Sequence, residues 1–553
     1  MKKSIFLFMA FALLSLTAAR AQQANIFASE LKASAVSADN DVEFTYTLNA
    51  DAKALSIKVS NGETFEVTSV GDLTKGSHTV TKRLTLPTAV GNYTWSITAE
   101  GSPNYAAEPV KVSDDAAHLG FHALRGLVVD NSFESPFFGR IYATEGNEDV
   151  VAAGIRATND GVYIYNAALQ DVTNQGDNAY TGGVIWGLSG SANSGASPFR
   201  VSTAPDGRVF VADWSDTHSG IWLLDPANPS ADLKPVFAGT RDTRGVVSTS
   251  GIGTHGSVSH CYIEGVGANT KLYTFDEDLG LSSGVSGNIY RYDIGNLDAP
   301  WTAAPSELIY NDAANGNLQQ NGNSCISPDG RGGWWISQYR SEDINPAIPS
   351  LIHYNGTSVD FVSAADAAGV LVSSHQGGMA LNEDKSLIAL SSSGNVKIFD
   401  ITFDGTGKPT IALKYKIDTP FGDFTFSVAL DKADNIYVGG NAKAFEVFAL
   451  PKDDNSFTTP APKSQPVSVT QEITGLRTVV AGDVRIVCKG DQITIISGSP
   501  VQSVKFFDLQ GRTIAAKQGI AASDCSIPAP EKGIYIVETM TEGVRNVQKI
   551  VVH

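Results

Sequence analysis

The feature that most constrains the fold is the stretch Pro198 to Pro226, PFRVSTAPDGRVFVADWSDTHSGIWLLDP, because variants of it recur along the chain. VSTA reads as a short apolar strand, PDG as a tight turn, VFVAD as a second strand, DTHSG as a loop and IWLLD as a third strand. Asp-Gly between two β-rich runs is a strong hairpin signal, since glycine accepts a positive φ without a Cβ clash. The same parts return in NSCISPDGRGGWWISQY with SLIHYNG, and more loosely in GGMALNEDKSLIALSSSGNVKIFDI and FSVALDKADNIYVGGNAKAFEVFAL. Two earlier copies, LRGLVVDNSFESPFFGRIYATEG with GVYIYNA and HCYIEGVGANTKLYTFDED with GNIYRYDIG, have longer hairpins.

Six such units lie between about Leu124 and Leu450. Recurrence of a multi-stranded unit predicts a β-propeller, in which each blade buries its faces only against its neighbours. The second-strand residues Tyr142, Phe210, Tyr273, Trp335, Ile388 and Tyr437 recur every ~50 to 70 residues, longer than the ~40 to 50 of compact propellers, which puts the excess into loops. Fourth strands are expected at GGVIWGL, KPVFAGT, ELIYNDA, DFVSAA and LKYKID. The last unit lacks one, so closure is expected to borrow a strand from AHLGFHAL ahead of the ring or PVSVTQEI after it, which removes an open edge.

Residues 1–21 have a basic start, an apolar run and Ala19-Arg20-Ala21, the pattern of a secretory signal peptide. Without it, 37 basic residues face 58 acidic ones, a formal charge of -21 against -18 for the whole chain. Such acidity repels phosphate backbones and argues against nucleic acid and anionic membranes as partners. No further stretch approaches the ~20 apolar residues of a membrane-spanning helix. The expected location is therefore outside the cytoplasm: periplasmic, outer-membrane-associated or extracellular. Cys261, Cys325, Cys488 and Cys525 show no CxxC spacing, and Cys261 and Cys325 read as small core residues.

Residues 22–112 alternate in VEFTYTL, LSIKVS, ETFEVTSV, SHTVTKRLTL and NYTWSITAE, the rhythm of a β-sandwich. With Tyr93 and Trp95 placed as core aromatics of a late strand, the segment resembles bacterial immunoglobulin-like modules, and a spacer role is expected. Residues 113–117 read as a hinge, 118–450 as the propeller and the Pro/Ser/Thr-rich 451–480 as an extended linker. The last part, 481–553, is a small β-domain. VKFFDLQGRTI, KGIYIVET and NVQKIVV in it resemble the C-terminal sorting domains of type IX secretion clients. Asp508, Gly511 and Arg512 match the family's D-x-x-G-R turn, Gly533, Ile534 and Tyr535 its G-x-Y strand, and Lys549 its terminal strand. The resemblance implies export and contact with that secretion machinery.

Residues that open each innermost strand of a propeller converge at the channel mouth. Aligning the units places Arg125, Arg200, His260, Asn323, Gln376 or Gly378, and Ser427 there, with His255 and His375 one step outward. Two guanidinium groups in an acidic chain suit a carboxylate, sulfate or uronate. Trp214 and Tyr339, in loops after second strands, offer a saccharide platform, while Trp222 and one of Trp334/Trp335 are expected between blades. His255, His260 and His375 with Asp213 or Glu145 form a competing metal constellation, but HGSVSH is not a metal motif and the arginines oppose a cation. The blade count resembles six-bladed lactonase-like propellers that hold calcium, yet only Asn323 matches and Arg200 stands where an acid belongs. No metal and no cofactor are expected. No nucleophile motif, phosphate loop or paired catalytic carboxylates stand out.

The expected function is a secreted or surface-displayed, non-catalytic binding protein for a glycan or protein ligand. Its binding residues are Arg125, Arg200, His260, Asn323, His375, Gln376 and Trp214. A propeller hydrolase or lyase acting on an acidic sugar or lactone, with His260 or His375 as general base, is the second reading. A purely architectural surface protein is the third.

Overall fold

The computed structural model describes residues 23–552, apart from 115, 147–149, 153–155, 174–183, 186–197, 214–219, 229–232, 238–239, 242–246, 249–253, 256–257, 277–286, 304, 316–323, 341–348, 368–374, 474–478, 482–483, 490 and 542–543. The signal-peptide stretch 1–21 lies outside the described residues. The fold is all-β, and its only α-helical pieces among the described residues are the single turns Asp312–Asn315 and Ser363–Asp366.

The first body is a two-sheet sandwich. One sheet joins Ala28–Ala33, Asp41–Leu48 and Gly76–Arg83; the other orders Ser456–Pro460, Trp95–Glu100, Ala54–Val59 and Thr64–Glu66. Alternation puts Val42, Phe44, Tyr46, Leu55, Ile57, Trp95 and Ile97 into one shared core. The Trp95 ring lies 4.8 Å from Phe44.

The expected linker 451–480 is corrected here. Ser456–Pro460 pairs along Trp95–Glu100, Val467–Val469 pairs with Gly91–Tyr93, and Trp95 Nε1 donates to the Gln465 carbonyl at 2.7 Å. Val467, Val469 and Ile473 enter the sandwich core. The prolines that suggested a linker fit because a sheet edge does not require every N–H.

Six antiparallel four-strand units follow, the first and sixth joined edge to edge into one eight-stranded sheet and the fourth extended by His375–Gln376. The first holds Gly120–Val129, Ile141–Glu145, Gly161–Tyr165 and Val184–Ile185; the second Val201–Thr203, Val209–Asp213, Gly220–Leu224 and Lys234–Pro235; the third Val258–Glu264, Lys271–Asp276, Asn288–Tyr292 and Glu307–Asn311. The fourth holds Ser324–Pro328, Trp334–Arg340, Leu351–Tyr354 and Val359–Val362; the fifth Met379–Leu381, Leu387–Ser392, Asn395–Phe403 and Pro409–Asp418. In the sixth, Thr425–Leu430, Asn435–Ala444 and Glu446–Ala449 are completed by Val110–Lys111. Each innermost strand touches the next in chain order, and the last touches the first. Tyr142, Phe210, Tyr273, Trp335, Ile388 and Tyr437 all lie on second strands and are buried.

The closing strand comes from upstream of the segment expected to supply it. Val110 and Lys111 pair with Ala449 and Phe448, and Lys111 Nζ meets Glu446 Oε1 at 2.7 Å. Gly120–Ala123, within AHLGFHAL, instead extends the first innermost strand against Asn441–Ala444. PVSVTQEI goes to the sandwich. Ser113, the first residue of the expected hinge 113–117, is tied to the sixth sheet, its Oγ accepting the Val447 N–H at 2.9 Å. The short ladder is extended by the N–H groups of Val112 and Ser113, which both donate to the Val447 carbonyl.

Acidic turns and hydroxyl stitches explain the repeat. Asp329 Oδ1 accepts the N–H groups of Arg331 and Gly333, while Gly330 takes a φ of 76°. Asp329 Oδ2 also meets His353 Nε2 at 3.0 Å, and His353 Nδ1 meets Asp360 at 2.6 Å. Ser202 Oγ donates to the Cys261 carbonyl, and Ser337 Oγ to that of Gly377, each at 2.6 Å, so hydroxyls of one sheet bond the backbone of the next. The four cysteines are free and buried.

The C-terminal body is a six-stranded antiparallel sheet from Val479–Ala481 to Val544–Val552 around Ile486, Ile493, Ile495, Val504, Phe506, Val537 and Ile550. Its Asp508 accepts the N–H groups of Gln510 and Arg512 and the Arg512 Nε at 2.6 Å, with Gly511 at a φ of 81°.

Candidate functional site

The six innermost strands enclose a central cavity of about 440 Å³. Its wall is apolar where the strands run side by side, with Leu127, Val201, Ile263, Ile326, Met379 and Val428 among the lining residues. Polar groups gather at the two ends. At the carboxyl ends of these strands stand Asn131, Ser132, Glu383 and Lys432. Lys432 pairs with Glu383 and lies 4.6 Å over the Phe133 ring.

At the amino-terminal ends the structure brings together three of the expected residues, Arg125, Arg200 and His260. Arg125 sits where the register breaks between Gly126↔Thr144 and Leu124↔Glu145, a bulge that turns its side chain out of the ladder. Its guanidinium lies 4.0 Å over the Phe426 ring, and Nη1 donates to Asn441 Oδ1 at 3.3 Å. Arg200, only 3% exposed, donates from Nη1 to the Phe426 carbonyl at 3.3 Å, across the ring from the second sheet to the sixth. Gly126 permits this approach, since a Cβ there would fall 2.9 Å from the Arg200 Cα. Burial pushes Arg125 down to about 10, with the Glu145 carboxylate opposing and the Arg200 cation adding to the fall. Two like charges are thus held near each other in a partly dry place.

His260 has a different role from the expected one. Its Nδ1 accepts the Ile326 N–H at 3.2 Å, joining the third sheet to the fourth. Burial and then the Arg200 charge push it down to about 3, so the ring is neutral and carries its proton on Nε2. A general base needs an available lone pair at a matched pKa, and His260 offers neither. The base assigned to His260 in the hydrolase reading is therefore corrected. Ser427 is likewise used structurally, its Oγ accepting the Leu127 N–H at 2.7 Å.

Asn323 and Trp214 lie outside the described residues. His375 and Gln376 form a short strand against Arg340 and Tyr339, but the side chains of all four, and of His255, lie outside the described residues. Glu145, raised as a metal ligand, is fully buried and accepts the N–H groups of His122 and Ala123 at 2.8 Å. Of the tryptophans, Trp335 is fully buried, 4.6 Å from the His353 ring, and Trp222 is half-buried between the first and second sheets. The opposite rim of Asn131, Glu383 and Lys432 was not foreseen. Its signal was available in the paired turn sequences LNEDK and LDKAD of consecutive units.

No family model matches the chain, and no curated protein matches it. Among solved structures, the chain is similar to PorZ, a bacterial surface component of the type-IX secretion system of Porphyromonas gingivalis, at 13% identity, covering 95% of this chain and 74% of that one with a TM-score of 0.30. It is similar to a structural genomics protein of unknown function from Bacteroides thetaiotaomicron, at 10% identity, 76% and 98% coverage and a TM-score of 0.32. It is also similar to the WD40 β-propeller domain of Doa1, at 12% identity, 63% and 97% coverage and a TM-score of 0.29. At these scores the likeness says nothing about ligand or activity. No helix among the described residues is long and apolar enough to cross a membrane.

Proposed function

We propose that this chain is an exported, non-catalytic binding protein whose six-bladed propeller takes an anionic group of a glycan or protein ligand at the channel mouth. The observation that supports this most is the approach of Arg125 and Arg200, drawn from different sheets onto the one residue Phe426. Two planar guanidinium forks drawn to one place suit the paired oxygens of a carboxylate or sulfate. The neutral, backbone-bonded His260 favours binding over the hydrolase or lyase reading. In this reading the N-terminal sandwich is an immunoglobulin-like spacer. The C-terminal sheet, with its Asp508–Arg512 turn, is the handle for type IX-like export and surface display.

An array of uronate-bearing and sulfated glycans, probed with the secreted chain and with Arg200→Gln, tests the proposal. At least a tenfold loss of binding in the variant is expected. Equal binding by both removes the channel mouth from the reading, and no acidic glycan or protein bound by the wild type leaves the architectural reading in its place.

A further inference from the structure

The third sheet carries a second group of side chains that the channel does not use. Tyr262, Tyr273, Arg291 and Glu307 pair directly opposite one another across its four strands, so they form one row on one face. Three inter-strand steps make that row roughly 14 Å long. Glu264 and Ile309, two residues along the same strands as Tyr262 and Glu307, share the face and widen it.

In a propeller such a face is normally covered by side chains of the next blade. Here the facing turns of the fourth sheet are largely glycine. The turn PDGR is followed directly by Val209 in the second sheet but by Gly332 and Gly333 in the fourth. Gly330, Gly332, Gly333 and Gly356 border the gap, and a Cβ placed on Gly332 would meet nothing within 4 Å. The result is a cleft of about 550 Å³ between the third and fourth sheets, within the usual range for small-ligand sites.

Its lining is mixed in a specific order. At the inner end Tyr262 and Tyr273 pack with Trp334, their ring centroids 5.8 and 4.8 Å from the indole. Tyr273 donates its hydroxyl to Glu264 Oε2 at 2.9 Å, which holds that carboxylate at the cleft wall. At the outer end Arg291 pairs with Glu307 and, at 3.1 Å, with Asp293. Lys385 reaches in from the turn of the fifth sheet, where its N–H donates to the Asn382 carbonyl at 3.2 Å, and its ammonium group makes no hydrogen bond or ion pair among the described residues. The charged lining groups balance, Glu264 and Glu307 against Arg291 and Lys385, so neither a polyanion nor a polycation is selected. A ligand with apolar C–H faces and many hydroxyls fits a row that passes from aromatic rings to a carboxylate–guanidinium pair.

We infer that the cleft between the third and fourth sheets is a binding site for a neutral oligosaccharide of two or three rings, separate from the channel mouth. The half-buried Tyr262, backed by Tyr273 and Trp334, covers one ring, and Glu264, Arg291 and Glu307 exchange hydrogen bonds with the hydroxyls of the rest.

The test is an array of neutral hexose and N-acetylhexosamine oligosaccharides, followed by titration calorimetry, with the full secreted chain. Arg291→Ala removes the outer polar contact at a partly exposed position that does not hold the core. Gly332→Asn fills the open space instead, at a φ of 102° that strains an L residue, so its melting curve is recorded to show that the fold survives before binding is read. A neutral di- or trisaccharide that binds the wild type, binds each variant at least tenfold more weakly and binds Arg200→Gln as well as the wild type is the expected result. The inference is overturned if no neutral saccharide binds, if both cleft variants bind as the wild type does, if loss appears only with Arg200→Gln, or if the cleft variants affect only a peptide or an acidic glycan.

Discussion

Cutting the chain after Leu450 is expected to unfold the N-terminal sandwich, although the last of its N-terminal strands, Trp95–Glu100, ends more than three hundred residues earlier. The truncation removes Ser456–Pro460 from the edge of Trp95–Glu100 and Val467–Val469 from Gly91–Tyr93. It also strips Val467, Val469 and Ile473, exposed by 0, 2 and 3%, from the core. At about 2 kcal/mol for each buried aliphatic side chain, the loss is roughly 6 kcal/mol. A domain of this size has only ~5 to 15 kcal/mol in total, so the remaining sandwich sits at or below the threshold for folding. Differential scanning calorimetry and limited proteolysis of residues 23–450 and 23–481 separate the alternatives. The longer piece keeps the sandwich transition, and the shorter loses it and is cleaved between residues 25 and 105. The same transition and the same protease resistance in both pieces would refute the placement of the returning strands.

Two further outcomes follow from buried titratable groups. His260 is pushed down to about 3 in the fold and titrates near its ordinary 6.5 once unfolded, so between those values the unfolded chain binds a proton that the folded chain does not. Stability from this group is therefore complete above 6.5 and falls as the pH drops, by up to roughly 1.4 kcal/mol per pH unit. His260→Gln flattens that part of the urea-midpoint profile, and an unchanged slope contradicts the burial of His260 beside the Arg200 charge. Burial raises the Asp329 carboxyl, but the His353 contact and the N–H groups of Arg331 and Gly333 outweigh it and hold the group below the usual range. Asp329→Ala leaves His353 with Asp360 alone and costs about 3 kcal/mol in guanidinium unfolding; a loss under about 1 kcal/mol contradicts a structural role for the bridge.

The strands of the ring were legible because each unit writes the same local code. The aspartate and glycine of PDGR set the turn, and a buried aromatic or aliphatic such as Phe210 or Trp335 marks the second strand. The closing strand was not legible, since Val110–Lys111 is too short to carry a period and acts through a partner more than three hundred positions away. The linker reading failed for a related reason. Composition reports how flexible an isolated segment would be, whereas SFTTP is ordered by a neighbouring edge that composition cannot see. Within the candidate site, alignment of the units identified Arg125, Arg200 and His260 as neighbours. It could not assign the lone pair of His260, because that depends on the Ile326 N–H of the next sheet. The row of Tyr262, Tyr273, Arg291 and Glu307 needs four strands in register before it exists at all.

The lacing of the sandwich and the ring bears on how either site would act. The chain joins the two bodies near its start, where Asn25 Nδ2 donates to the Asp434 and Leu450 carbonyls, and the Asn25 N–H donates to Asn435 Oδ1. It joins them again where Asn104 and Lys452 exchange backbone hydrogen bonds at 2.9 Å, and once more where Arg140 Nε, beside the first sheet, meets Glu30 Oε1 at 2.7 Å. A hinge needs a segment that few contacts cross, and among the described residues these crossings lie at the passages between the bodies. These hydrogen bonds oppose a free hinge between sandwich and propeller. A ligand held at the channel mouth or in the cleft between the third and fourth sheets would be presented in a fixed direction relative to the sandwich, which a flexible linker at 451–480 would not have allowed.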